Sequence, residues 1–273
     1  MGGDTLKFGS DPNFRNSALT LIFMSDPISL GGQTAGRDNN VLAIRYAAAA
    51  TVILFHCYAL TGRWLDEPLY AALAPMNLGA LGVQVFFVLS GFLVTQSWIA
   101  HPSAKAFAMA RVLRIYPALV AATVFTIVVA GASSTLPWAE YLASPTTWRY
   151  FVRTASGYDV VDALPGVFAG NPFPRAANGS LWTLPVELRL YVLVGIAGLL
   201  GLVARSRAWL VASIALMLAM VAWPDEVPLD PNTPGTRLAA LLFVLGSLAC
   251  AWQRHIPLSL PGAALALVLP LVD

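Results

Sequence analysis

Seven stretches of this chain are almost free of charge and long enough, or nearly so, to cross a bilayer as helices. A crossing takes about 17–25 mostly apolar residues. The stretches lie near residues 41–60, 80–99, 115–132, 182–204, 208–223, 237–252 and 257–272, the last three being the shortest. Between them stand residues that turn a chain: Asp66-Glu67-Pro68, Pro75, Pro102, Pro224-Asp225 and the run Asp230 to Pro234. No internal repeat or low-complexity tract interrupts the pattern. The expected fold is all-α, a polytopic integral membrane helix bundle of about seven spans.

Composition agrees. Apolar residues make up 58% of the sequence and charged residues 11%, against about 25% charged in ordinary soluble domains. A net charge of +2 is too small to argue for nucleic acid or an acidic partner. The two cysteines, Cys57 and Cys250, both fall in apolar runs and outline neither a disulfide framework nor a metal site. Arginine outnumbers lysine 14 to 2, a bias that goes with a GC-rich bacterial genome.

The basic residues predict an orientation. Arg37 and Arg45 flank the first span, Lys105, Arg111 and Arg114 lie between the second and third, Arg205 and Arg207 between the fourth and fifth, and Arg254 after the sixth. With alternating spans these fall on one side, expected to be cytoplasmic together with the N-terminus. Asp66, Glu67, Glu140, Asp159, Asp162, Asp225, Glu226 and Asp230 fall on the other. Residues 1–36 read as a polar, disordered extension outside the bundle, and 37–273 as the transmembrane domain. The stretch from about 133 to 180, rich in Pro, Gly, Ser and aromatics, reads as a long functional or mobile loop.

One helix carries the most telling residues. His56 sits in VLAIRYAAAATVILFHCYAL (Val41–Leu60), eleven positions after Arg45. Eleven residues are just over three turns, so both side chains leave one face, about 16 Å apart along the axis. Ionisable groups within a span face a protein interior or a wet cavity and are functional by default. His56 suits a general base because the imidazole pKa lies near neutrality. Its plain alternative is a histidine hydrogen-bonded to a neighbouring helix.

Three further patterns follow in order. GVQVFFVLSGF (Gly82–Phe92) is an apolar helix with a small Ser90-Gly91 pair that admits a close neighbour. RVLRIYP (Arg111–Pro117) places Arg111 and Arg114 on one helix face. NGSLWTLPVELRLY (Asn178–Tyr191) places Glu187 just inside a span, behind Pro185. Together with R-x10-H, these motifs resemble the acyltransferase 3 family, membrane enzymes that O-acetylate bacterial surface polysaccharides and some small metabolites. The resemblance covers roughly Asn40 to Ala204.

The resemblance implies an integral enzyme of the bacterial cytoplasmic membrane. It would move an acyl group, by default acetyl, from acyl-CoA to a hydroxyl of a carbohydrate or small-molecule acceptor, with no metal. Carried over by motif, His56 and Glu187 are the catalytic candidates, and Arg45, Arg111 and Arg114 the candidates for binding the donor. Family members have more spans than the seven placed here, so the expectation is a domain truncated at its C-terminus.

The chemistry of the residues fits those roles. Guanidinium groups hold phosphate oxygens bidentately and stay charged at any relevant pH, and Arg111 and Arg114 lie on the side where coenzyme A thioesters are made. The plain alternative for that pair is a positive-inside cluster touching lipid phosphates. Glu187 either orients His56 or the acceptor, or pairs with an arginine; Arg189, only two positions on, does not face it. Trp98 and Trp182, near span ends, are expected as interfacial anchors, and His101 as a solvated loop residue. No G-x-S-x-G elbow, H-E-x-x-H, Walker sequence or histidine-x4-aspartate occurs. Two other classes remain open: a transporter or channel using Arg, His and Glu in the membrane, and a non-catalytic truncated scaffold.

Overall fold

The computed structural model describes residues 41–160, 163–172, 177–222 and 235–253. The expected extension at 1–36 and the expected seventh span at 257–272 lie outside the described residues. Within them the secondary structure is helical: α1 (Val41–Leu60), α2 (Pro68–Leu73), α3 (Leu78–Ala100), α4 (Ala104–Ala132), α5 (Trp138–Ala143), α6 (Pro145–Ser156), α7 (Thr183–Leu199), α8 (Ser206–Ala222) and α9 (Thr236–Ala251). All belong to one unit, Asn40–Trp252.

Among the described residues, four helices are long and apolar enough to cross a membrane: α1, α3, α4, and α7 with the 3-10 turn that precedes it from Gly179. The expected fifth and sixth spans form helices of 17 and 16 residues. Of the seven spans expected, four are full-length helices among the described residues, two are these shorter apolar helices, and one lies outside the described residues.

Capping sets where the helices start. Asn77 Oδ1 accepts from the Ala80 N–H at 2.8 Å and opens α3. Ser103 Oγ accepts from the Ala106 N–H at 3.4 Å and opens α4. Thus α4 begins at Ala104 rather than 115, and Arg111 and Arg114 lie within the helix instead of before it. The helix runs on through Pro117, which cannot donate to the Leu113 carbonyl one turn earlier.

Helix α3 is the central post, packed against α1 and α9 and more lightly against α7. Two glycines let α3 and α9 touch backbone to backbone. A Cβ on Gly91 would collide with the Phe243 carbonyl, and a Cβ on Gly246 with the Val88 carbonyl. Beside this crossing, Thr95 Oγ1 and Ser247 Oγ share a buried hydrogen bond of 2.5 Å. The indole N–H of Trp209 on α8 donates to the same Ser247 oxygen at 3.0 Å. Small residues and interhelical hydroxyls are the means by which helices associate in lipid. Trp98, expected as an interfacial anchor near a span end, packs inside the bundle. It is buried at 3% exposure, stacked edge-on to Phe107 and seated over Gly198 of α7, which leaves room for the indole.

The long loop is more ordered than its composition implied. Its helices α5 and α6 pack Tyr141 and Tyr150, with Leu164 and Val167, against Ile127 and Ala130 of α4. The Tyr141 hydroxyl donates to the Ile127 carbonyl at 3.0 Å. Sequence signals for α6 exist: Ser144 as cap, Pro145 in the first turn, Gly157 in the left-handed conformation at the end, and Thr147, Tyr150 and Thr154 buried at helical spacing. The opposite faces of the long helices expose Tyr46, Ile53, Phe125 and Val192, as a surface turned to lipid should.

Gly246→Val is expected to destabilise the protein by about 1–3 kcal/mol, because the added side chain must push a backbone carbonyl aside. Leu245→Val, on the exposed face of the same helix, is expected to change stability by about 0.5 kcal/mol or less. Equilibrium unfolding in mixed micelles measures both.

Candidate active site

The site grows from the antiparallel seam of α1 and α3. Arg45, Ala48, Val52 and His56 fall within an arc of about 80° on α1. Two glycines of α3 draw that arc close. Gly79 meets the Phe55 ring, and a Cβ on Gly82 would lie 2.6 Å from the Ala48 carbonyl and from Thr51 Oγ1. Further along the seam the Arg45 guanidinium sits over the Phe86 ring at 6.0 Å. The expected alignment of Arg45 and His56 on one face is therefore the face that α3 covers.

Two adjoining cavities open along this seam. One, of about 240 Å³, is lined by Arg45 of α1, by Val83, Phe86, Phe87, Leu89 and Ser90 of α3, and by Thr183 and Glu187 of α7. The other, of about 340 Å³, is lined by His56 with Val52 and Phe55, by Asn77, Gly79, Ala80, Val83 and Gln84, and by Trp182, Gly235, Leu238 and Ala239. Val83 belongs to both walls. Arg45 and Glu187 thus share one chamber and His56 stands in the next. Trp182, expected as an anchor in the interface, lines the histidine chamber instead.

The histidine has one nitrogen tied down. His56 Nδ1 lies 2.7 Å from the Val52 carbonyl, one turn back on α1. A carbonyl only accepts, so Nδ1 carries the proton in the neutral ring and Nε2 is left with its lone pair. The Phe55 ring, edge-on at 5.6 Å, further fixes the imidazole.

Glu187 is held by two hydroxyls. Pro185 sits in the first turn of α7, where its missing N–H leaves no helix bond unmade. Glu187 and Tyr191 follow one turn apart on the same face. Glu187 Oε1 accepts from Ser90 Oγ at 2.7 Å and also from the Tyr191 hydroxyl, and the two hydroxyl oxygens stand 3.1 Å apart. No arginine pairs with it among the described residues. Arg189 faces elsewhere and donates to the Tyr158 carbonyl at 3.2 Å.

The R-x-x-R pair divides in two. Arg111 is half-buried, its guanidinium held between the Phe107 ring at 5.7 Å and the Tyr191 ring at 5.6 Å. Its Nη2 donates weakly to Ser97 Oγ at 3.4 Å, and its Nε is buried without a hydrogen-bond partner. Arg114, one turn on, is exposed. Neither arginine lines the two cavities above. The candidate residues form a chain of neighbours rather than one cavity: the His56 chamber, the Arg45–Glu187 chamber, then Arg111 behind Tyr191. His101, as expected, is an exposed residue ending α3, and His255 lies outside the described residues. Ser90 is expected from the sequence only as a small residue that admits a close neighbour, and Tyr191 carries no expected role. The signal was there, since both sit within the motifs that carry Gly91 and Glu187.

A family model described as an acyltransferase domain matches residues 39–272. An O-acetyl transferase of Shigella phage Sf6 is 34% identical over 157 residues, covering 56% of this chain and 44% of that protein. Nodulation protein 10 of Rhizobium leguminosarum bv. viciae is 32% identical over 170 residues, covering 58% of this chain and 44% of its own. The matched part therefore spans less than half the length of either relative. No solved structure matches.

The tautomer is open to measurement. With His56 ¹⁵N-labelled in nanodiscs, the neutral ring is expected to show its proton on Nδ1 and an unprotonated Nε2 in long-range ¹⁵N–¹H spectra. A proton on Nε2 would remove the free base.

Proposed function

The chain belongs to this acyltransferase family, and we propose that it transfers an acyl group, by default acetyl, from acyl-CoA to a hydroxyl of a sugar or other small acceptor. The observation that carries the reading is the imidazole of His56, which lines a cavity and is anchored through Nδ1, with no hydrogen bond to Nε2 among the described residues. The printed name of the phage relative, O-acetyl transferase, supports the acyl group and the bond formed.

A hydroxyl is a poor nucleophile until its proton is removed during attack. In the proposed reaction the acceptor oxygen attacks the thioester carbonyl carbon while Nε2 of His56 takes its proton. The C–S bond then breaks and the proton passes to the departing thiolate. The arginines suit the other end of the donor. Coenzyme A carries a pyrophosphate and a ribose phosphate, and Arg45, Arg111 and Arg114 supply cations that cannot lose their charge. About 16 Å of helix separates Arg45 from His56. A donor held by its phosphates near the arginines would run its slender arm past Glu187 and Val83 and present the thioester at the histidine.

The same reading sets the arrangement in the cell. The protein lies in the bacterial cytoplasmic membrane with its N-terminus and its arginine-rich connections on the cytoplasmic side, where the donor is made. Four helices long and apolar enough to span support the membrane setting. The acceptor would enter from the end where Trp182, Asn77 and the start of α9 surround His56.

Purified protein in nanodiscs, given acetyl-CoA and a panel of sugars, tests the proposal. His56→Ala is expected to lower transfer about 10²–10⁴-fold while leaving donor affinity nearly intact. Arg111→Ala with Arg114→Ala is expected to raise the donor Kd about tenfold or more, because charge-assisted phosphate contacts are lost. Wild-type turnover in His56→Ala would end the assignment of the base. An unchanged donor Kd in the arginine variant would return that pair to a role at the lipid surface.

A further inference from the structure

The two hydroxyls on Glu187 have no part in the reaction as written above. Ser90 comes from α3 and Tyr191 from α7, and both converge on one oxygen, Oε1. Counting protons fixes the pattern. Two hydroxyls have two hydrogens between them, and three contacts exist, including the 3.1 Å approach of Ser90 to Tyr191. A carboxylate oxygen only accepts. Both hydrogens therefore go to Oε1, and the third contact is proximity. Oε2 accepts nothing among the described residues, in a side chain that lines the chamber of Arg45.

The tyrosine ring has a second task. Its face supports the Arg111 guanidinium at 5.6 Å while its hydroxyl holds Glu187. One side chain thus joins the R-x-x-R helix to the acid. A cation within about 6 Å of an aromatic face is attracted to it, so the Tyr191 ring links the position of Arg111 to that of the Glu187 carboxylate.

We infer that Ser90 and Tyr191 are positioning residues that clamp Oε1 of Glu187 and turn Oε2 into the chamber beside Arg45, and that Tyr191 carries the same registration to Arg111. The inference rests on the acyltransfer reading for its kinetic consequence. In that setting Oε2 is an acceptor for a polar hydrogen of a ligand passing between Arg45 and His56. A freely rotating carboxylate would instead spend its time on the arginine, which lines the same chamber.

The test uses Ser90→Ala and Tyr191→Phe in the full chain in nanodiscs, each alone and each combined with Glu187→Gln. Tyr191→Phe keeps the ring under Arg111 and removes only the hydroxyl. Each single variant is expected to lower kcat about 10- to 100-fold, as loss of a hydrogen bond to a charged group does, with donor KM changed less than about threefold. Ser90→Thr, which restores a hydroxyl, is expected to recover activity. In the Glu187→Gln background neither change should cost more. The infrared difference between wild type and Glu187→Gln isolates the Glu187 carboxylate stretch, which is expected to move in Ser90→Ala and in Tyr191→Phe. Additive losses in the Glu187→Gln background, or a carboxylate band unmoved by either change, would overturn the inference. If the wild type transfers nothing from acetyl-CoA, the acyltransfer reading falls instead, and the infrared band alone decides whether the clamp exists.

Discussion

Everything in this bundle depends on how closely α3 allows its neighbours to approach. Lipid tails are as apolar as leucine, so helices in a bilayer gain little from hiding greasy side chains from their surroundings. They associate where backbones can come near and hydroxyls can bond across. Helix α3 meets this need on two sides. Gly91 faces the Phe243 carbonyl of α9, and Gly79 and Gly82 receive Phe55 and the backbone of α1. The Thr95–Ser247–Trp209 cluster then locks the α9 side with hydrogen bonds that have no water to compete with them. The first seam makes the bundle rigid, and the second holds the helix bearing Arg45 and His56.

From that constraint the chemistry follows in a line. The ring of His56 faces along the α1–α3 seam because α1 is pinned there, and its own backbone fixes which nitrogen is free. One step away, α7 brings Glu187 against Ser90 of the same α3 post. One step further, Tyr191 of α7 meets Arg111 of α4. His56, Glu187 and Arg111 are thus all placed relative to a single helix, each by a different kind of force: steric fit, hydrogen bonding, and attraction to an aromatic face.

The sequence made much of this legible, and the failures have physical causes. Apolar run length located α1, α3 and α7 to within a few residues. It set the start of α4 eleven residues too late, because Ser103 caps a helix whose first turns carry the basic residues that run length discounts. It marked α8 and α9 as the shorter spans, and among the described residues they are apolar helices of 17 and 16 residues. It missed α5 and α6, whose burial depends on Tyr141 and Tyr150 meeting α4, a tertiary fact. For the site, helical phase correctly aligned Arg45 with His56, and the spacing rule correctly separated Glu187 from Arg189. Phase within one helix says nothing of partners on another. The bond from Ser90 to Glu187 and the seat of Trp98 over Gly198 therefore became visible only in three dimensions.

The ring contacts of Arg111 also bear on how such a protein is made. Phe107 and Arg111 are one turn apart on α4, so that half of the aromatic cradle exists as soon as the helix forms. Tyr191 lies 80 residues later in the chain (191 − 111) and cannot arrive until α7 has been synthesised. During that interval the guanidinium has one ring and the lipid headgroups for company. A cation near the end of a hydrophobic helix reaches toward the interface in such circumstances. Arg111 would thereby hold α4 at the correct depth while the ribosome is still delivering the helix that will complete its binding. Burial of the cation then waits for α7, which enters beside a helix already set in register.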